Sequence, residues 1–378
     1  MRIFFSLLFF CLFSSLSFAA RPLSESAKFS LLTCSPGTEL YNCFGHSALH
    51  LSDPANGIEL VYNYGTFDFD TPNFGLKFIQ GKLEYALSRA PFGPFMQTYV
   101  YEKRGVYEQE ILLSAEKKQA LFDALEARFN SPDRYYMYDF FYDNCATQIR
   151  DLGQLLYAED FILPQADSSR SFRSYLAEYT APSPWLDLGI KVILGRGADK
   201  RPSVSEQMFL PDYLAQHLSH SQTPAGPFLG EKKELLPWPA AHQESIKDHY
   251  PFLLFTLLAA LFFAIAFVFP NYAYVADRLL LTVVGLAGAF LCFMWWGTDH
   301  AATQWNLNIL WLSPLYLPLL FGLKKVKTNK FFALLHGLLL LSYLLALLNW
   351  LIAWQAYPLP LLPIFAYLSY RLYVYKWA

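Results

Sequence analysis

The chain has 378 residues, 54% of them hydrophobic and only 16% charged, with a formal net charge of −2. That composition suits a protein only partly in water, and the charge argues against a nucleic-acid-binding surface. The apolar residues are unevenly spread, so the chain divides into parts.

Residues 1–20 read as a secretory signal: Arg2 is basic, Ile3 to Leu12 is apolar, and Ser17-Phe18-Ala19-Ala20 offers small residues for cleavage. Cys11 lies inside the apolar stretch and away from the cleavage site, so the segment is not a lipoprotein signal. The competing reading is an uncleaved membrane anchor. Residues 21–218 are mixed polar and apolar and long enough for one sizeable exported domain. Residues 219–250, with Pro224, Gly226 and Pro237, read as a linker or a surface layer near a membrane.

Within the exported part, residues 46–51 read as a strand with Leu49 and Leu51 on one face and His46, Ala48 and His50 on the other. Asp53 to Gly57 is a turn, and Leu60 to Phe67 is the returning strand. Folding the hairpin sets His46 opposite residues 63–65, where Asn63 or Tyr64 could orient an imidazole; register decides between them. Phe67, Phe69, Phe74, Phe78 and Tyr85 form an aromatic run that fits either a core or an apolar groove. Farther on, Asp143-Asn144-Cys145 opens a stretch with helical spacing at Ala146, Ile149, Leu152, Leu155 and Leu156. Asn144 is a good N-cap, which puts Cys145 in the first helical turn. There the backbone N–H groups and dipole favour a thiolate. A cysteine nucleophile and a histidine base are therefore Cys145 and His46, in an order opposite to papain. His50 reads as an ordinary hydrogen-bonded histidine.

Five cysteines occur; Cys11 belongs to the signal and Cys292 to an apolar span. Cys34 and Cys43 flank the turn signal Pro36-Gly37 and are close enough in sequence to pair, which would leave Cys145 free; the competing reading is three unpaired thiols.

From Pro251 onward the chain reads as five membrane spans, at about 251–269, 279–297, 309–323, 331–353 and 359–375. The third is short and contains Pro314 and Pro318. Lys324, Lys325, Lys327 and Lys330 follow span three, Arg278 lies between spans one and two, and Arg371 and Lys376 stand near the end. Loops 298–308 and 354–358 carry no Lys or Arg. The positive-inside rule then puts 324–330 and the C-terminus in the cytoplasm and residues 21–250 outside. On that outer side Asp299, His300 and Asn306 lie between spans two and three, beside Trp295, Trp296, Trp305 and Trp311. They are candidates for binding a head group or peptide, against the plainer reading of a connecting loop with interfacial anchors.

Four segments carry a family resemblance. They are Thr33-Cys34-Ser35-Pro36-Gly37, Phe44-Gly45-His46-Ser47, Tyr62-Asn63-Tyr64-Gly65-Thr66-Phe67-Asp68-Phe69 and Tyr138 to Thr147. Together they resemble the N-terminal domain of the Lnb family of bacterial lipoprotein N-acyltransferases, and the span count agrees. The resemblance implies an α+β fold: an exported, circularly permuted papain-like (NlpC/P60-type) domain followed by an all-α bundle of five transmembrane helices. It also implies a multi-pass protein of the bacterial inner membrane with its catalytic domain on the periplasmic side. His46 would activate Cys145 to take an acyl chain from a diacylglyceryl lipoprotein or phospholipid. The acyl chain would pass to an amine such as a lipoprotein's N-terminal cysteine, with neither cofactor nor metal. Cys145 N–H and a side chain such as Tyr64 would hold the oxyanion. The rivals are an envelope cysteine hydrolase (a peptidoglycan peptidase or amidase, or a lipid esterase) and a non-enzymatic membrane scaffold.

Overall fold

The first strand, β1 (Lys28–Cys34), is apolar on both faces, so it must be covered on both sides. It sits near the middle of an antiparallel sheet. The other strands are β2 (His46–Asp53), β3 (Ile58–Thr66), β4 (Glu84–Pro91), β5 (Val106–Ile111), β6 (Tyr135–Met137) and β9 (Leu229–Leu236). A separate two-residue pair is formed by β7 (Gln222–Thr223) and β8 (Gly226–Pro227). This computed structural model describes residues 22–39, 41–165, 169–238 and 250–377, so the expected signal at 1–20 lies outside the described residues. Among those residues the sheet order is β6-β4-β3-β2-β1-β5-β9.

One face of the sheet carries Phe29, Leu31, Leu49, Leu51 and Tyr62. These pack under α3 (Ala115–Phe129), α4 (Cys145–Tyr157) and α8 (Pro211–His220), through Leu121, Ile149, Leu214 and Leu218. The other face carries Leu32, Cys34, Ala48 and Val61 under Phe95 and Tyr99 of α2 (Phe92–Tyr101). The short helix α1 (Phe74–Gln80) leads into β4. A second cluster joins Phe141 to Phe172 and Leu176 of α5 (Phe172–Thr180) and to Phe209 and Leu210. Beside it run α6 (Pro184–Ile193) and α7 (Val204–Gln207).

The expected linker at 219–250 is corrected in part. Residues 229–236 are the edge strand β9, paired with β5. Its Gly-Glu-Lys-Lys-Glu run suits an edge strand, where exposed charge discourages pairing with another chain. Residues 239–249 lie outside the described part.

Beyond residue 250 the chain is helical: α9 (Tyr250–Val268), α10 (Pro270–Trp296), α11 (Tyr316–Leu319), α12 (Lys330–Ile352) and α13 (Leu362–Trp377). Among the described residues α9, α10 and α12 are long and apolar enough to cross a membrane. The second expected span starts earlier than the sequence suggested, because Pro270 takes the first turn of α10, where a proline's missing N–H costs nothing. The third expected span, 309–323, is not one helix. It breaks into short turns around Pro314 and Pro318, with α11 a single turn. Arg371, counted above as a topology signal, is buried among the helices. Its Nε donates to Asp277 Oδ1 and Oδ2 at 3.0 and 2.9 Å, and Tyr367 donates to the same carboxylate at 2.7 Å.

One junction between the two parts of the chain lies at α6. The last carbonyls of a helix lack intrahelical partners. Asn306 Nδ2 supplies them, donating to the carbonyls of Val192 (2.8 Å) and Ile193 (3.0 Å). Gly195 N–H donates to the Ala302 carbonyl at 2.9 Å and Arg196 N–H to that of Trp305 at 3.2 Å. Asn306 Oδ1 accepts from Asn308 N–H (3.0 Å) and Gln355 Nε2 (3.2 Å). Asn308 Nδ2 also donates to the Val192 carbonyl at 3.1 Å, so Asn306→Ala strands chiefly the Ile193 carbonyl and the donors Asn308 N–H and Gln355 Nε2, at about 1–3 kcal/mol. The thermal melt of the variant in detergent should fall, and limited proteolysis should open the 193–199 segment. An unchanged melt with an unchanged digest would make the contact incidental.

Candidate active site

The site is built where the β2–β3 ladder ends. Its pairing runs from Asp53↔Ile58 to Leu49↔Tyr62 and stops there. Continuing the register would set His46 opposite Gly65. Asn63, two residues before Gly65, shares the face of His46, and Tyr64 takes the other face. His46 Nε2 accordingly meets Asn63 Oδ1 at 2.5 Å. Tyr64 is buried in the core, its ring 5.1 Å from the Arg128 guanidinium. Of the two orienting candidates, Asn63 is the one placed at the imidazole.

Cys145 reaches this gap on the first turn of α4. Asn144 Oδ1 accepts from the N–H groups of Ala146 (2.8 Å) and Thr147 (3.0 Å), and Thr147 Oγ1 accepts from Asn144 N–H at 2.7 Å. This reciprocal cap fixes the start of the helix. Asn144 Nδ2 ties it further to the carbonyls of Phe140 (2.7 Å) and Phe209 (3.0 Å). The β3–β4 pairing is irregular between Asn63 and Thr66, and Gly65 there has φ +87°, a conformation that favours glycine. A side chain at Gly65 would begin 3.7 Å from Cys145 Cβ. Glycine and the irregularity together let the helix start come up against the strand.

His46 and the Cys145 thiol line the same cleft and act on each other electrostatically. Burial disfavours the thiolate, but the His46 charge, the His46 hydrogen bond and the N–H groups of Ser47 and Ala146 outweigh it, holding the thiol below its ordinary range. For His46, burial disfavours the imidazolium, and the Cys145 charge, the Cys145 hydrogen bond and the Asn63 bond raise it overall, against a smaller opposing effect of Arg104. The two shifts favour a thiolate–imidazolium pair. Nε2 is committed to Asn63, so Nδ1 is left to exchange the proton with sulfur.

Cys145 and His46 open on a cleft of about 270 Å³, walled by Phe44, Phe67, Phe78, Tyr85, Tyr138 and Phe140. Three members of the aromatic run line it. Phe67 packs edge-on to Phe69 (4.9 Å) and Tyr85 (5.3 Å), and Phe74 stacks on Phe78 at 6.1 Å. The run is thus a cleft wall and not an enclosed core.

Sequence reasoning missed Tyr136. Its hydroxyl is buried without a hydrogen-bond partner and lies 3.9 Å from the point where a Gly65 side chain would begin, on which Cys145 also converges. Burial, then the negative charge of Cys145 and of Asp143, keeps the phenol protonated. The available signal was spacing: Tyr136 faces Tyr85 across the β4–β6 ladder, within a Tyr-Tyr-Met-Tyr run.

Other expectations are corrected. Cys34 and Cys43 are separate buried thiols, with no bridge between them. Burial pushes Cys34 up to about 12 and Cys43 up to about 11. Asn306 is fully buried and committed to α6 and Gln355, so it faces no substrate. Asp299 and His300 do not line the cleft. Asp299 N–H donates to the Gln80 carbonyl at 2.8 Å, and His300 Nε2 to the Phe78 carbonyl at 3.1 Å. They hold α1, and α1 carries the cleft residue Phe78. His50 spends both ring nitrogens on Glu108 and Glu59, each at 2.8 Å, and stacks on Phe92. Among the described residues no cluster of three His, Cys, Asp or Glu side chains is arranged to hold a metal ion.

The pair makes a pH prediction. Cys145 should be alkylated by iodoacetamide with a midpoint below the ~8.5 of a free thiol. His46→Gln should move that midpoint upward, because burial then acts with less opposition. A wild-type midpoint at or above that of a free thiol would remove the ion pair.

Comparison with curated proteins and with solved structures returns no match. Two family models do match: the Lnb N-terminal periplasmic domain over residues 20–172 and the Lnb transmembrane domain over residues 242–378. The first covers β1 to β6 with His46, Asn63 and Cys145; the second covers α9 to α13. Matched in both its sheet domain and its helical domain, in that order, the chain belongs to the Lnb family.

Proposed function

We propose that this chain is a membrane-bound cysteine acyltransferase, which moves a fatty acyl chain from a lipid ester to an amine through a thioester on Cys145. The observation that carries the reading is the Cys145–His46–Asn63 arrangement at the mouth of an aromatic-walled cleft, in a chain that also has membrane-length apolar helices. An apolar wall suits an acyl chain, and a bilayer anchor keeps the enzyme beside a substrate that never leaves the membrane.

In the first half-reaction His46 holds the Cys145 proton and the thiolate attacks the ester carbonyl carbon. The carbonyl oxygen becomes an oxyanion. The Cys145 N–H at the helix start and the Tyr136 hydroxyl are the donors we assign to it, Tyr136 replacing Tyr64 in that role. The C–O bond then breaks, and the departing lyso-lipid oxygen takes the proton from His46. In the second half-reaction the amine attacks the thioester carbon and gives a proton to His46. The C–S bond breaks, and an amide and the thiolate–imidazolium pair remain. Asn63 keeps the imidazole turned toward sulfur throughout.

Histidine on a strand early in the chain and cysteine at a helix start later supports a circularly permuted papain-like (NlpC/P60-type) domain. With the proline-broken segment 307–325 and α13 counted beside α9, α10 and α12, five crossings put the N-terminal domain on the periplasmic face of the inner membrane. By the family resemblance the donor is the diacylglyceryl group of a lipoprotein or a phospholipid. The acceptor is then the amine of an N-terminal cysteine.

Purified protein given a diacyl lipid substrate should form a hydroxylamine-sensitive acyl adduct on Cys145, seen by mass spectrometry, and then lyso-lipid and N-acylated amine in equal amounts. Cys145→Ala should form neither. Tyr136→Phe should lower turnover about 100- to 1000-fold, the effect of losing one oxyanion donor. Release of free fatty acid at the same rate with and without amine, and no N-acyl product, would make the chain a hydrolase.

A further inference from the structure

Helix α1 carries apolar side chains on two sides. Phe78 lines the cleft with Phe74 stacked on it, while Leu76 (54% exposed) and Ile79 (45%) lie open, as does Phe69 (64%) just before the helix. The helix is not free in space. Its end is bonded through Gln80 and Phe78 to Asp299 and His300, which follow directly on the apolar helix α10 and its cap Gly297. The contact is close. Gly81, which ends α1 with φ +69°, has Asp299 and His300 backbone atoms 3.3 Å from where a side chain would begin. Trp296 (68% exposed) and Trp305 (65%) mark the same end of α10, and such tryptophans mark the level of lipid head groups.

Distance sets the depth of α1. The head-group layer is about 5–7 Å thick on each side of the hydrocarbon. Asp299 is three residues past Trp296, and Gln80 is one hydrogen bond from Asp299. The C-terminal end of α1 therefore falls in that layer if α10 crosses the bilayer. Open leucine and isoleucine at that depth suit lipid better than water. Lys77 and Lys82 stand beside them, with long stems that can keep their ammonium groups at phosphate level.

We infer that Phe69, Leu76 and Ile79 form a lipid-facing surface by which α1 lies in the bilayer interface, so that an acyl chain passes from the bilayer across α1 to Phe67, Phe78 and Cys145. The partner is the bilayer surface itself. The delivery step rests on the acyl-transfer reading; the position of α1 in lipid does not.

The test uses the full-length protein in phospholipid nanodiscs, with the photo-crosslinker benzoylphenylalanine placed singly at 76, 79 or 101. Tyr101, at the end of α2 and 89% exposed, is the control in water. Phospholipid adducts should form at 76 and 79 and be at least tenfold scarcer at 101. No adduct at 76 and 79, or equal yields at all three, overturns the placement. In a second arm, Leu76→Glu with Ile79→Glu should lower turnover of a bilayer-embedded diacyl substrate tenfold or more. Iodoacetamide alkylation of Cys145 should be unchanged, which shows the site intact. Unchanged turnover on that substrate overturns the delivery step. Adducts at 76 and 79 from a protein that transfers no acyl group would uphold the surface while refuting the functional reading.

Discussion

The thiolate–imidazolium contact between Cys145 and His46 is the interaction on which the rest of the site depends. The chain supplies its own comparison. Cys34 is as buried as Cys145, and burial pushes it up to about 12; Cys145 is held below the ordinary value. The surroundings of Cys145 therefore favour its thiolate far more than those of Cys34 do. No single group supplies this. The imidazolium, its hydrogen bond and the backbone N–H groups of Ser47 and Ala146 act together against burial. Each depends on the helix start arriving at the open end of the β2–β3 ladder, so the Asn144 cap, Gly65 and the end of that ladder are parts of one device.

That device explains which parts of the site could be read from sequence. Asn144-Cys145 and the His46 strand are local patterns, a cap before a helical period and an apolar–polar alternation, and both survive folding unchanged. The choice between Asn63 and Tyr64 is not local. It turns on a one-residue register, and only the observed Leu49↔Tyr62 pairing puts Asn63 on the histidine side. Tyr136 was hidden for a similar reason: its relevance arises from a strand far along the chain pairing with β4.

The misread segments have equally specific causes. β9 looked like linker because an edge strand is charged and has no clean alternation. The 309–323 stretch is apolar enough for a span, but Pro314 and Pro318 remove helix donors within it. Asn306 lies in a polar loop at the end of a helix, which reads as a surface feature; its actual task is to satisfy the last carbonyls of α6. Arg371 was counted as a free positive charge although Asp277, almost a hundred residues earlier, neutralises it. Composition cannot show such a pairing. Its value as a topology signal falls with it, and the Lys324, Lys325, Lys327 and Lys330 cluster, exposed throughout, carries most of that argument, beside the exposed Arg278.

The two halves of the chain are joined at two places of different character. At α6 the contact is buried and saturated with hydrogen bonds to Asn306, Ala302 and Trp305, which suits a fixed joint. At α1 it consists of two hydrogen bonds from Asp299 and His300 to a seven-residue helix with Asn73 in the left-handed conformation at one end and Gly81 at the other. A short helix held at one end by two bonds opens locally at far lower cost than a buried joint. The fixed joint sets the height of Cys145 above the helices, and the loose one carries Phe78, a wall of its cleft. The acyl transfer proposed above would need both: a rigid distance to the bilayer, and one wall that can give way to a long chain.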